Sequence, residues 1–191
     1  MGFSKEEGDR LLLIASKAIE YYMENGEEPG ALKEVDMDEF QMPRGVFVTL
    51  KEHGELRGCI GFPLPVMPLG KAVVKAAVAA AFGDPRFPPV KGGEVEMLEI
   101  EISVLTVPEL VDAERPEEYL EKIKIGRDGL IIEYMGNSGL LLPQVPVEEG
   151  WGVEEFLSHL CMKAGLPPGT WMEGPVTIKA FQAEIIRGGK G

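Results

Sequence analysis

Two β-branched segments of this chain lie so close together that only one kind of sheet can hold them. Val46-Phe47-Val48-Thr49-Leu50 and Glu55-Leu56-Arg57-Gly58-Cys59-Ile60-Gly61 are separated by a turn signal at His53-Gly54. A connection that short joins antiparallel neighbours, because a parallel crossover needs a dozen residues or more. A second hairpin is expected where residues 123–125 and 130–134 flank Gly126-Arg127-Asp128-Gly129, with glycine where positive φ is needed. Residues 99–107 alternate, which sends Ile100, Ile102 and Val104 to a core and Glu99, Glu101 and Ser103 to the other face. Residues 140–146 are apolar, but their prolines confine them to a sheet edge or strand end. Residues 176–186 read as one last strand.

The helices are announced by their ends. Ser4-Lys5-Glu6-Glu7 has the form of a capping box, and Leu11, Leu12, Ala15, Ala18, Ile19 and Tyr22 recur at helical spacing until Asn25-Gly26. Pro29-Gly30 opens an irregular lead-in to the hairpin. A second helix runs over residues 69–82 with Pro68 in its first turn, and a short one is expected over residues 115–120. A further helix over residues 151–164 places Phe156, Leu157, Leu160, Cys161 and Ala164 on one face, with Gly165 closing it. The order of elements predicts an α+β fold, a mainly antiparallel sheet flanked by helices, in a single domain over residues 1–191. Two proline-rich loops, residues 62–68 and 84–89, bracket the second helix and leave open a division into two interleaved lobes.

Composition removes several functions. The charge balance of 19 basic against 32 acidic residues gives −13, the wrong sign for a general nucleic-acid or anionic-membrane binder. The most apolar run, residues 73–82, is too short to span a bilayer and contains Lys75. Met1-Gly2-Phe3-Ser4-Lys5-Glu6-Glu7 does not resemble a signal peptide, and two cysteines make no disulfide scaffold, so a cytoplasmic location is expected.

Chemistry concentrates at Leu56-Arg57-Gly58-Cys59-Ile60-Gly61, where two glycines frame a cysteine beside an arginine. Arg57 and a helix starting near Pro68 would favour the thiolate, making Cys59 a candidate nucleophile. The opposing reading makes Cys59 a small buried hydrophobe at a tight backbone crossing. Asp84-Pro85-Arg86-Phe87 sets an opposite-charge pair on a stiff loop. Arg86 there is either a surface ion-pair partner or, with Arg57 and Lys71, part of an anion-binding pocket. Glu101 lies on the open face of its strand, and Gln144 is a polar intrusion between Pro143 and Val145. His53 and His159, the two histidines, are not placed to announce a base for Cys59, and no zinc spacing is present. The Gly58-to-Gly61 spacing also matches a nucleic-acid clamp, but its surroundings do not.

The hexapeptide Leu56-Arg57-Gly58-Cys59-Ile60-Gly61 resembles the signature of the AMMECR-type domain family, named for a chromosomal region linked to Alport syndrome and elliptocytosis. Supporting segments follow in the family's order: residues 79–82 with Asp84-Pro85-Arg86-Phe87, Glu101-Ile102-Ser103-Val104-Leu105, and residues 126–130. Leu141-Leu142-Pro143-Gln144-Val145, Trp151, Phe156-Leu157, Cys161-Met162-Lys163-Ala164-Gly165-Leu166 and Trp171 complete it. The resemblance implies an α+β fold with a larger and a smaller lobe and a groove between them near the hexapeptide. It brings no established reaction. Some family members are encoded beside, or fused to, Memo-like and radical-SAM domains, which implies a shared modification pathway and such proteins as partners.

Three expectations follow. The first is an enzyme-like site: Cys59 as reactive thiol, Asp84 and Glu101 as proton carriers or orienting groups, and Arg57, Arg86 and Gln144 holding an anionic substrate, with no cofactor or metal. The second is an interaction module in which Cys59 only packs. The third makes the glycines a folding device alone.

Overall fold

The computed structural model describes residues 2–30 and 37–188, so part of the irregular lead-in after Pro29-Gly30 lies outside the described residues. The chain divides into two units, one built from residues 1–105 and 184–191 and the other from residues 106–183.

The first unit begins with α1 (Lys5–Asn25). Ser4 accepts a hydrogen bond from the Glu7 amide while the Glu7 carboxylate accepts one from the Ser4 amide, so two free N–H groups are satisfied reciprocally. Gly26 closes the helix at φ 73°, its N–H donating to the Tyr22 carbonyl. The hairpin β1 (Gly45–Glu52) and β2 (Glu55–Phe62) turns at His53 and Gly54, with φ of 53° and 81°. Both values are positive, the requirement of the two-residue turn that matches strand twist. Next comes α2 (Leu69–Phe82), over the expected residues, with Pro68 as its N-cap and not inside its first turn. The strands β3 (Leu98–Leu105) and β8 (Ala183–Arg187) complete a sheet ordered β2-β1-β3-β8. Val46, Val48, Leu50 and Ile102 on one face are fully buried, as are Ala72, Val73, Ala76 and Ala77 of α2. The small residues of α2 let its backbone lie directly on the sheet. Ser103, expected on the open face, is buried; its register partner is the half-buried Phe47.

The second unit holds a sheet ordered β4-β7-β5-β6, from β4 (Glu109–Leu110), β5 (Gly129–Tyr134), β6 (Asn137–Leu141) and β7 (Thr177–Phe181). Its helices are α3 (Glu118–Lys122), α4 (Val145–Glu149), α5 (Val153–Lys163) and α6 (Thr170–Glu173). The α5 face expected to be apolar is the core: Phe156, Leu157, Leu160 and Cys161 are fully buried with Leu130, Ile132 and Ile178.

The class is α+β and the paired strands are antiparallel, but the strands form two sheets rather than one. The hairpin across residues 126–129 is absent. Asp128 instead folds back, its carboxylate accepting from the Lys124 amide and the Arg127 guanidinium, which makes a turn. Strand β5 pairs with β6 through Met135 and Gly136, both at positive φ. The single last strand is broken at Gln182: β7 belongs to the second sheet and β8 to the first.

Candidate functional site

Counting back from the two-residue turn, Glu52 faces Glu55 and Lys51 faces Leu56. Regular pairing would then set Leu50 against Arg57 and Val48 against Cys59, sending the sulfur to the core face. The ladder slips between Leu50 and Lys51, Arg57 is the additional residue, and Gly58 pairs with Leu50 while Cys59 pairs with Thr49. Because side chains alternate, a bulge of one residue moves every following side chain to the other face. Gly58 therefore takes the core side against α2, and Cys59 takes the polar side, half-exposed, where the Thr49 hydroxyl donates to Sγ at 3.2 Å.

The polar face continues across the sheet. Thr49 pairs with Glu101 on β3, and the Glu101 carboxylate accepts from Lys51 Nζ at 3.4 Å and Arg187 Nε at 2.7 Å. Burial pushes the Glu101 carboxyl up, but the Arg187 hydrogen bond and the Lys51 charge overcome it and leave it below its ordinary value. Glu101 is thus an anion held between two cations.

The outer edge of β2 is closed by side chains. Asp84 Oδ2 accepts from the Cys59 amide at 2.9 Å, and Arg86 Nη2 donates to the Cys59 carbonyl at 3.1 Å. The two side chains join each other through Arg86 Nε and Nη2 at 3.0 and 2.7 Å, and Asp84 Oδ1 also accepts from the Arg86 amide. An acid and a base on one rigid loop so take the place of a neighbouring strand for a single residue, which satisfies groups that an edge would otherwise expose. Asp84 is buried and its partner half-exposed. The Arg86 hydrogen bonds hold the Asp84 carboxyl well below the usual carboxylate range, helped by the two amides and against its burial. A lowered native value means the unfolded chain takes up the proton first, so the stabilisation is complete above about pH 4 and fades as pH falls further. Urea unfolding of wild type and Asp84→Asn should therefore differ by a constant amount from about pH 5 to pH 8 and begin to converge only below about pH 4.

Arg57 turns to Glu94, on the 3₁₀ turn Gly92–Met97, with Nε and Nη2 both 2.8 Å from Oε2. That hydrogen bond lowers the Glu94 carboxyl. Each arginine proposed from sequence therefore has a carboxylate partner, and Arg86 is the more exposed of the two. Lys71 lines a different hollow, with Phe40 and Lys75. Gln144 is exposed in the second unit, at the N-terminus of α4, where its carbonyl accepts from the Val147 and Glu148 amides. His53 is exposed at its turn, and His159 stacks on Trp151 with ring centroids 3.8 Å apart. Cys161 is fully buried, which raises its thiol pKa. No cluster of three or more His, Cys, Asp or Glu able to hold a metal occurs among the described residues. No helix among them is long and apolar enough to cross a membrane.

Sequence reasoning missed Thr49, Lys51, Glu94 and Arg187. The hairpin turn was a usable signal for Thr49, but the bulge shifts its partner by one place.

These features define an α+β protein in which a glycine-framed cysteine is turned onto the polar face of an antiparallel sheet and pinned there by a buried aspartate. Residues 12–186 match the AMMECR1 family model, and the chain belongs to that family. It is 51% identical over 184 residues to a Methanopyrus kandleri protein, covering 95% of this chain and 88% of the other. Identity to a Methanocaldococcus jannaschii protein is 52% over 183 residues, covering 95% and 90%. The crystal structure of an uncharacterized protein from Pyrococcus horikoshii is similar to it with a TM-score of 0.83 at 50% identity, covering 96% of this chain and 92% of that one.

Proposed function

We propose that the polar face of the first sheet is a thiol-centred reactive site, with Cys59 as the nucleophile. The observation that carries this reading is the Thr49 hydroxyl donating to Sγ on a face that the bulge keeps out of the core. Thr49 orients the sulfur, while Asp84 holds the Cys59 backbone rigid and takes no part in proton transfer, since its carboxyl stays ionised. Glu101 orients Lys51 and Arg187, and the exposed side of Arg86 adds positive field beside the sulfur for an anionic substrate. Arg57, tied to Glu94, shapes the bulge instead of binding a ligand. The family resemblance adds the context of a modification pathway shared with Memo-like or radical-SAM proteins.

Iodoacetamide on the native protein tests this. The Cys59 thiolate displaces iodide from the reagent carbon, and the thiol proton goes to solvent. Cys161 is an internal control, since its burial should protect it until the protein unfolds. Mass spectrometry should find one label on the native chain, at Cys59. Thr49→Val removes the hydrogen bond to Sγ and should slow native labelling about fivefold, the scale of one hydrogen bond. A Cys59 that is labelled only in denaturant, or a native labelling rate indifferent to Thr49→Val, would remove the nucleophile.

A further inference from the structure

On the side of the first sheet opposite Cys59, α1 does not fully cover the start of β3. Two adjoining hollows of about 510 and 330 Å³ run along its flank and share Ser16, Leu98 and Ile100. Ile100 pairs with Leu50, so the floor is the core face of the sheet showing through. Leu12, Leu13, Met23 and Val95 supply apolar walls, and Leu13 is 42% exposed.

The charged side chains that line these hollows among the described residues are acidic. Asp9, Glu20, Glu24 and Glu96 line the hollows, and among the described residues no lysine or arginine does. Glu20 is met by Lys17 at 2.8 Å, whereas Asp9, Glu24 and Glu96 are exposed to solvent. From Asp9 to Glu24 the helix rises about 22 Å, so the acidic rim is as long as about four turns of a second helix.

We infer that this groove docks an amphipathic, Lys- and Arg-rich helix of a partner protein, its apolar side on Leu98 and Ile100 and its cations against the rim. Helix-in-groove recognition lays the apolar side of an amphipathic helix in an apolar groove, and here Leu98 and Ile100 form an apolar floor between apolar walls beneath an acidic rim. A second copy of the chain does not fit, because each copy carries −13 and would meet the rim with the same sign. The net charge also draws a basic segment from a distance and accelerates its encounter.

Two synthetic peptides of about 18 residues, both made of leucine and lysine, provide the probe. One has its leucines at helical spacing and the other has the same composition scrambled. By fluorescence anisotropy the ordered peptide should bind roughly tenfold more tightly than the scrambled one. Glu24→Lys with Glu96→Lys should cost roughly tenfold in that affinity, while Glu117→Lys with Glu121→Lys, exposed on the second unit, should change it little. A photoreactive residue on the leucine side of the peptide should cross-link to Leu13 or Met23. Equal binding of the two peptides, equal loss in the two double variants, or cross-links scattered over the surface would each overturn the inference in favour of unspecific attraction to an acidic protein.

Discussion

Gly58→Ala is expected to destabilise the first unit by about 3 kcal/mol or more, the largest effect of any single methyl in this region. A Cβ on Gly58 would come within 2.1 Å of the Ala80 carbonyl oxygen. That oxygen belongs to the backbone of α2, so no rotamer change relieves the clash. Either α2 lifts from the sheet and opens space beside Val48 and Leu50, or the bulge deforms and Cys59 loses its place. For a chain of this length the loss corresponds to a fall in melting temperature of roughly 6–12 °C. Thermal and urea unfolding followed by circular dichroism would measure it. A change below about 1 kcal/mol would mean that the close approach of helix and sheet is not tight.

Asp84→Ala should cost roughly 2–3 kcal/mol, less than a fully buried pair because Arg86 keeps half its side chain in water. The substitution leaves the Cys59 amide without its acceptor and one edge of the Arg86 guanidinium without its anion. Native-state hydrogen exchange gives a second, local reading: the Cys59 amide should exchange much faster in the variant, while the amides of β3 change little. Arg86→Ala with Asp84→Ala completes a double-mutant cycle, and a coupling of about 1–2 kcal/mol is expected between the two. Additive losses with an unchanged exchange rate at Cys59 would show that the loop does not close the strand edge.

The elements with strong punctuation were legible. Ser4 to Glu7 and Gly26 bound α1 as read, and His53-Gly54 turns the first hairpin, because capping and tight turns are local chemistry. The readings that failed turned on side-chain bonds and pairings that composition does not show. Gly126-Arg127-Asp128-Gly129 has the composition of a hairpin, yet the Asp128 side chain binds the Lys124 amide and makes a turn after α3 instead. Gln182 carries no sequence mark that it separates strands of two sheets. At the site, the cysteine and the Asp84-Pro85-Arg86 loop stood out, but nothing local said that the two are bonded. Arg57 looked like a ligand-binding cation because its carboxylate partner, Glu94, lies 37 positions along the chain. Thr49 looked like an ordinary strand residue until the register gave it a sulfur for a neighbour.

The extra residue at Arg57 makes the side on which the sulfur sits a question of parity. Removing one residue between the turn and Cys59 would bury the sulfur and bring Gly58 to the open side, whereas inserting or removing two would keep both where they are. Hairpins of this kind can therefore change length only in even steps if they are to keep their chemistry, a counting rule that an engineer grafting the motif onto another antiparallel scaffold would have to obey.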